Sequence, residues 1–454
     1  MRWMFVGLWS GLFLIHALLY LLLIPPWQAP DEPTSIELLL TIESRRRLVS
    51  PADEDPTIQR EIVASMARAR YWDLGGYGRR PRVPDPIFKD VYACCGTQLH
   101  RPPLYHLLLL PVADLTQTWP LEQRLVMLRA ATLTLGMATV ALATLVGFEL
   151  AVMHPALALV LPALVVFHPQ LAYSSATFNS DNLVALVGAA IFLTLLRLLR
   201  HGLSLKRLAV LGLLVVLGFG TKRTILFLLP ALVVGVGWQA LLVWRAKPSA
   251  RRLPLAVLGL LLAVAVVVGM PGLRVLVLKL LNRFIFFEGI ATQLRYILTT
   301  YGSASVSLGT LALMSLRFLN QSFWGSFGWH QVHMPRAVQY VLLTLVVVTW
   351  SVSLAWIVLR RSSIPAWLRR YLSLSVLTIV VAISIALINA PPPLMPQGRY
   401  LFPALIPIMT LIAIGLCAWW PRRWTAYGVS LVWLALMALD VYTIAGVVIP
   451  GFYS

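Results

Sequence analysis

Charged residues are scarce in this sequence. Asp, Glu, Lys and Arg make up 12% of its 454 residues, and 59% of the residues are hydrophobic. Soluble domains are about a quarter charged. Several apolar runs reach about 20 residues, enough for a helix to cross a hydrocarbon core of about 30 Å. Because these runs do not alternate over strands of about 10 residues, they exclude a membrane β-barrel. The composition predicts an all-α, polytopic membrane protein.

Cysteine and nucleotide-binding motifs are also missing or rare. The three cysteines, Cys94, Cys95 and Cys417, have no zinc-site spacing. The sequence contains neither a P-loop nor a Rossmann glycine fingerprint. Asp53 and Asp55 have the D-x-D spacing of nucleotide-sugar transferases, but they precede a predicted helix in a polar turn. We interpret them as solvated charge at a helix start, with a metal site as the alternative.

Acidic residues are few beside basic ones. The chain has 17 Asp and Glu against 37 Lys and Arg, a formal net charge of +20. Such an excess can indicate nucleic-acid binding, but in a membrane protein Lys and Arg collect in cytoplasmic loops and at lipid headgroups. We therefore expect membrane lipids as partners and no nucleic acid. Four basic clusters lie between predicted spans: 197–207, 245–252, 360–370 and 422–423.

Hydropathy predicts eleven membrane spans, and the basic clusters orient them. All four clusters fall on one side if the N-terminus is cytoplasmic, as the positive-inside rule requires. The first span, which follows Met1-Arg2, is interpreted as a retained signal anchor. The predicted spans are 3–24, 123–148, 154–172, 182–199, 207–220, 223–244, 253–270, 337–359, 371–389, 400–418 and 425–447.

This topology leaves two long segments outside the membrane. The first is rich in acids, since 11 of the 17 Asp and Glu lie in residues 31–90. It is predicted to carry amphipathic helices at about 33–48 and 56–70 on the membrane surface, with 101–115 as an interfacial or re-entrant element. The predicted divisions are the first span at 1–24, an outer loop at 25–122, spans two to seven at 123–270, a second outer loop at 271–336 with an interfacial helix at 273–302, and spans eight to eleven at 337–454.

Polar side chains collect at the outer ends of the predicted spans. Asp31 and Glu32 follow the first span directly. Ionisable groups at membrane depth are costly and usually face a cavity or a partner. An acidic pair with several cations around one outer cavity predicts a site for an anionic lipid headgroup. The phosphate-binding candidates are Lys222, Arg223, Arg336 and Arg399, and the candidate sugar or headgroup contacts are Tyr173, Trp324, Gln397 and Tyr400.

The ionisable candidates have structural alternatives. Asp31 and Glu32 can simply start a helix. Lys222 and Arg223 can extend their charged ends to lipid headgroups. Arg399 can pair with a loop carboxylate.

Other polar residues favour structural roles. Asn179 and Asp181 are interpreted as a cap for the fourth span. Trp324 can belong to an interfacial aromatic belt. His330 and His333 have helical metal-ligand spacing, but two ligands alone are a weak signal for a metal site.

Six motifs in fixed order carry a family resemblance. Together they resemble a bacterial family of polytopic membrane proteins that is catalogued as a domain of unknown function and is related to the GT-C glycosyltransferases. The resemblance covers nearly the whole chain. This family usually has a His shortly after the acidic pair, where this chain has Ser35, so no role of that His is transferred. The motifs are PPWQAPDEPTS, RPPLYHLLLLP, SSATFNSDNLVAL, GTKRTILFLLP, SFWGSFGWHQVHMP and PQGRYLFPAL.

The resemblance implies a GT-C-like fold and a reaction. Its donor is a polyprenyl-phosphate sugar, and the acceptor is a glycan, lipid or protein outside the bacterial cytoplasmic membrane. Asp31 and Glu32 match the family's loop acid by position. We expect Asp31 to act as the base, with Glu32 orienting it or sharing a divalent metal, a requirement that stays open. One carboxylate and several cations suffice for inverting transfer, because a phosphate leaves as an anion. A lipid-linked glycan flippase and a glycan polymerase or ligase remain the alternatives.

Overall fold

Helices form almost all regular structure in the computed structural model, which describes residues 2–92, 97–246, 308–389, 396–417 and 419–453. The predicted span at 253–270 and the predicted helix at 273–302 lie outside these residues. The α-helices are α1 (Arg2–Leu23), α2 (Glu32–Arg45), α3 (Pro56–Arg68), α4 (Phe88–Val91), α5 (Leu104–Leu115), α6 (Leu121–Leu150), α7 (Leu157–Val166), α8 (Pro169–Ser175), α9 (Asp181–His201), α10 (Leu205–Thr221), α11 (Leu229–Ala246), α12 (Leu308–Trp324), α13 (Arg336–Leu359), α14 (Ala366–Asn389), α15 (Leu405–Cys417), α16 (Thr425–Thr443) and α17 (Ile449–Tyr453).

Shorter elements connect some of these helices. Strands β1 (Ser326–Phe327) and β2 (Val332–His333) pair antiparallel as a small ribbon. The turns of 3-10 helix are Pro51–Asp53, Arg223–Leu228, Gly398–Ala404 and Arg422–Trp424, and a π-helical turn at Ile444–Val448 joins α16 to α17.

Eight helical segments within the described residues are long and apolar enough to cross a membrane. Each coincides with a predicted span, so the prediction of an all-α, multi-pass membrane protein is confirmed. The segments are Arg2–Leu23, Leu121–Leu150, Asp181–His201, Arg223–Arg245, Arg336–Leu359, Ala366–Ile388, Gly398–Cys417 and Arg422–Tyr453.

Two further predicted spans take less regular forms. The third is broken, because α7 and α8 meet at an angle of 56°, just before Pro169 begins α8. The fifth corresponds to α10, whose 17 residues extend about 26 Å. It runs along α9, from Arg207 beside the carbonyl of His201 to Lys222 beside Asp181. The predicted total of eleven spans remains a prediction.

Basic residues meet at one end of the helix bundle. Arg200 pairs with Glu149 of α6 and lies 5.3 Å from the Trp367 ring centroid. Arg370 lies 5.4 Å from the Trp238 ring centroid. These contacts join the ends of α6, α9, α11 and α14. We call this the basic end, and the topology predicted from the positive-inside rule would place it in the cytoplasm.

The opposite end is packed through backbone contacts that only glycine permits. A Cβ on Gly188 of α9 would lie 2.3 Å from the carbonyl oxygen of Pro403. A Cβ on Gly398 would lie 2.1 Å from the backbone nitrogen of Phe323. The turn at Gly398–Ala404 is therefore pressed between α9 and α12, which fixes the position of Arg399.

The segment 25–122, which is the predicted outer loop, packs more deeply than the sequence predicts. Helices α2, α3 and α5 form close to the predicted positions, but α2 is buried from Glu32 to Glu43 instead of lying exposed on a surface. It packs against α3 and α5. Arg124 of α6 pairs with Glu43 at 2.7 Å. Ion pairs at its start and near its end hold α2 against α6.

Candidate functional site

Asp31 sits at the turn between α1 and α2, with the backbone in the left-handed region (φ 65°). Aspartate tolerates this region better than most residues do. Pro33 fits the first turn of α2, where no backbone N–H is needed. The Asp31 side chain is 24% exposed. Its carboxylate accepts a 2.5 Å hydrogen bond from Nη2 of Arg399, and Nη2 of Arg101 lies 3.5 Å away.

A second carboxylate shares the same cations. Asp181, fully buried in the first turn of α9, lies 2.5 Å from Nζ of Lys222. Nη1 of Arg399 lies 3.6 Å from its other oxygen. Arg399 thus bridges Asp31 and Asp181. We call Asp31, Arg101, Asp181, Lys222 and Arg399 the ion-pair cluster. Its three cations exceed its two carboxylates by one positive charge.

The cations control the charge state of Asp31. Burial would raise the pKa of its carboxyl, but the charges of Arg101, Arg399 and Lys222 outweigh burial and hold the pKa well below its usual range. Burial lowers the pKa of the Lys222 ammonium, and Asp181 opposes that effect. Tyr400 lies beneath both cations, its ring centroid 5.3 Å from Lys222 and 5.8 Å from Arg399. Asp31 is therefore anionic at neutral pH.

A narrow cavity adjoins the cluster. Its volume of about 10 Å³ is close to what one water molecule needs. Arg399, Gln397 and Tyr173 line it, and Nε of Arg399 donates to Oε1 of Gln397 at 2.6 Å. Tyr173 donates to backbone carbonyls and so holds the wall. His330, also in the lining, contacts Ser326 at 2.8 Å. The predicted residues Tyr173, Gln397, Arg399 and Tyr400 thus lie together near Asp31 and Lys222.

Glu32 faces away from the cluster. Its side chain is fully buried, and both of its oxygens bind Arg129 of α6, at 2.8 and 2.6 Å. One oxygen also accepts from the backbone nitrogen of Phe178. Arg129 donates as well to the carbonyls of Ile24 and Pro25. This geometry favours a structural role for Glu32, as a tie between α1, α2 and α6, in place of the predicted catalytic role.

Three other predicted ligand contacts lie apart from Asp31. Trp324 is buried and stacks on His168, with ring centroids 5.0 Å apart. Arg336 lines a separate groove between α12 and α13. Arg223 lies near His100. The pKa of the His100 imidazole is lowered mainly by burial, then by the charge of Arg101 and then by the charge of Arg223. None of these three contacts the Asp31 carboxylate in the described structure.

Sequence reasoning missed two members of the cluster. The sequence predicts a helix cap for Asp181, but the Asp181 side chain pairs with Lys222, while Oδ1 of Asn179 accepts from the backbone nitrogen of residue 181. Arg101 precedes two prolines and an apolar run, and that run is the dominant pattern of the segment. Arg129, the partner of Glu32, had a usable signal, because an arginine inside a predicted span must find a partner.

The D-x-D carboxylates serve local structure. Asp53 pairs with Arg47 and accepts from Ser50, and Asp55 caps α3 by accepting from Thr57. Among the described residues, no group of three or more His, Cys, Asp or Glu side chains has the geometry to hold a metal ion. The ion-pair cluster therefore offers three cations and two carboxylates but no metal site within the described residues.

Fold and site together define a multi-pass membrane protein with a cation-rich polar site at the end opposite the basic end. Comparison with models of known protein families finds no match, and comparison with curated proteins finds none either.

Proposed function

We propose that the protein is an inverting glycosyltransferase of the GT-C type, with eleven spans, in the bacterial cytoplasmic membrane. It moves a sugar from a polyprenyl-phosphate donor to an acceptor at the outer face. One observation carries this proposal: a partly exposed carboxylate, Asp31, shares its surroundings with Arg101, Lys222 and Arg399, which come from distant parts of the chain. The single excess positive charge of the cluster would balance the single negative charge of a sugar-phosphate-lipid diester.

The cations account for donor binding. Arg399 offers a planar fork suited to phosphate oxygens, and Lys222 offers a point charge. A bound phosphate would compete with Asp31 and Asp181 for these two cations. As their charge is shared, the pKa of Asp31 rises toward its ordinary value. Donor binding therefore makes Asp31 a better proton acceptor at the moment when one is needed.

The transfer step then needs one carboxylate. The acceptor oxygen attacks the anomeric carbon from the face opposite the phosphate, and its proton passes to Asp31. The bond between the anomeric carbon and the phosphate oxygen breaks, and its electrons remain on the phosphate. The leaving lipid phosphate gains a negative charge, which Lys222 and Arg399 stabilise. Direct displacement inverts the anomeric centre, and the phosphate needs no general acid.

The test is complementation of a deletion strain with three forms of the gene: wild type, Asp31→Asn and Asp53→Asn. Asp53 is an outer-segment carboxylate that pairs with Arg47 outside the site, so its variant is the matched control. Mass spectrometry of lipid intermediates and envelope glycans measures transfer. We expect Asp31→Asn, at wild-type protein levels, to lose transfer by 10²-fold or more, a typical value for a general base. Full transfer by Asp31→Asn would refute the assignment.

The same measurement separates the alternatives. A transferase deficit leaves a lipid-linked sugar unused and one sugar missing from a glycan. A flippase deficit leaves a complete lipid-linked glycan on the inner leaflet. A polymerase or ligase deficit leaves complete single units that are not joined.

A further inference from the structure

A second and larger cavity lies at the basic end. It has a volume of about 350 Å³ and lies between α9, α11 and α14. Its floor is apolar and buried, formed by Leu199 and Leu374. Gly235 allows α11 to approach this floor, because a Cβ there would lie 2.8 Å from Leu195 and 2.9 Å from Leu374. We call this cavity the basic-end slot.

The slot carries positive charge without a matching acid. Arg369 and Arg370, in the first turn and a half of α14, line it. No carboxylate in the described part of the chain lies within 4.0 Å of either guanidinium, since neither belongs to a salt bridge there. At the same end, Arg197 and Arg200 both pair with Glu149. The two arginines of the slot are therefore available to an external anion.

The charges and the apolar surface are arranged along one direction. On α14, Arg370, Leu374 and Leu377 follow at helical spacing, so the slot runs from the helix start toward the middle of the bundle. Nη1 of Arg369 donates to the carbonyl of Arg361, which fixes one side of the mouth. Two rim residues of α11, Val234 and Trp238, are about half exposed and open the slot sideways. A ligand that fits has an anionic head and an apolar tail.

We propose that the basic-end slot binds an anionic phospholipid of the adjacent leaflet. Arg369 and Arg370 hold its phosphate, and one acyl chain lies over Leu374 and Leu377. The cytoplasmic leaflet, which the positive-inside rule places at this end, is rich in anionic lipids. This site is separate from the ion-pair cluster and does not depend on the glycosyltransferase proposal.

Native mass spectrometry of the purified protein tests the proposal. The probes are dioleoylphosphatidylglycerol, dioleoylphosphatidylcholine and inorganic phosphate. The double variant Arg369→Gln/Arg370→Gln should bind phosphatidylglycerol about 30-fold more weakly, since each surface cation contributes about a factor of five. Arg423→Gln removes a charge at the same end outside the slot and should bind as wild type does. Ser373→Trp, at the exposed rim, should weaken binding by covering the slot without removing charge.

Several results would overturn the proposal. One is equal binding of phosphatidylglycerol by wild type and the double variant, with both folded by thermal melting. Another is an equal loss in Arg423→Gln. Equal binding of the two phospholipids would exclude charge recognition, and binding of inorganic phosphate as tight as that of the lipid would exclude the apolar part of the site.

Discussion

Arg399 and Asp31, which are 368 positions apart, form a 2.5 Å hydrogen bond between Nη2 and Oδ2. Asp31 has a left-handed backbone conformation. The turn that carries Arg399 is held by close packing of Gly398 against Phe323. Strained backbone costs about 1–3 kcal/mol and tends to cluster at functional sites. The contact therefore joins the start of the chain to the turn before α15 at a place where the fold accepts local cost.

Glu32 and Arg129 should contribute to stability. Glu32→Gln leaves a fully buried arginine without its carboxylate, and breaking a buried pair in this way costs about 3–5 kcal/mol. We expect a large fall in melting temperature in detergent. Asp53→Asn removes a carboxylate from the outer segment outside the core and should change little. Equal melting of Glu32→Gln and wild type would contradict the structural assignment of Glu32.

Gly188 should be sensitive to a single methyl group. Gly188→Ala forces Cβ against the carbonyl of Pro403 and shifts the turn that carries Arg399. Overpacking of this kind costs about 1–3 kcal/mol. Gly212→Ala is the matched control, because no atom lies within 4 Å of a Cβ at that position of α10. The two variants are compared by thermal melting, and similar behaviour would show that the packing between α9 and the turn is looser than described.

His330 should make stability depend on pH. Burial, with the charge of Arg399, lowers the pKa of this imidazole to about 4, whereas an unfolded histidine titrates near 6.5. The unfolded state therefore binds the proton first, and stability falls as pH decreases from about 6.5 toward 4. The loss from this residue by pH 4 is about 3 kcal/mol.

The matched variant for this effect is His330→Asn. Asparagine does not titrate and tolerates the left-handed backbone of this position (φ 66°). The melting temperature should change less between pH 4 and pH 7 for the variant than for wild type. Equal slopes in that interval would mean that His330 titrates as it does in the unfolded chain.

Variants of Lys222 and Asp181 should distinguish an effect on stability from an effect on transfer activity. Lys222→Met leaves the buried Asp181 carboxylate short of a partner and should destabilise the protein. The double variant Lys222→Met/Asp181→Asn removes both charges, so its stability should recover in a double-mutant cycle, with a coupling of about 1–3 kcal/mol. Transfer activity should not recover, because the double variant still lacks a phosphate-binding cation. Recovery of both properties would make Lys222 a purely structural residue.

The sequence was most informative where the pattern is local. Apolar runs located α1, α6, α9 and α13 because each run must bury or face lipid along its whole length. The break between α7 and α8 and the burial of α2 depend on tertiary packing, so no local sequence pattern predicts them. Lys222 and Arg399 were found because ionisable residues at membrane depth need a reason to be there.

The site was harder to predict in its pairings. Asp31 and Glu32 are neighbours with opposite surroundings, one partly exposed among three cations and one sealed against Arg129. Their separation arises where the turn between α1 and α2 meets the helix: Asp31, in the turn, reaches Arg399, whereas Glu32, the first residue of α2, reaches Arg129. The sequence alone therefore cannot tell which of the two adjacent carboxylates faces the cations. Asp181 lies at a helix start, where an acidic residue is usually a cap, so its pairing with Lys222 is not predicted either.

The most direct test of the account is binding of undecaprenyl monophosphate to the protein in nanodiscs of neutral phosphatidylcholine. Wild type, Arg399→Gln and Arg423→Gln are compared, each checked for folding by melting. The account predicts that Arg399→Gln binds the probe at least about 10-fold more weakly, as expected for loss of a charged hydrogen bond, while Arg423→Gln binds as wild type does. Equal affinity of folded Arg399→Gln and wild type would contradict the claim that the ion-pair cluster holds a lipid phosphate.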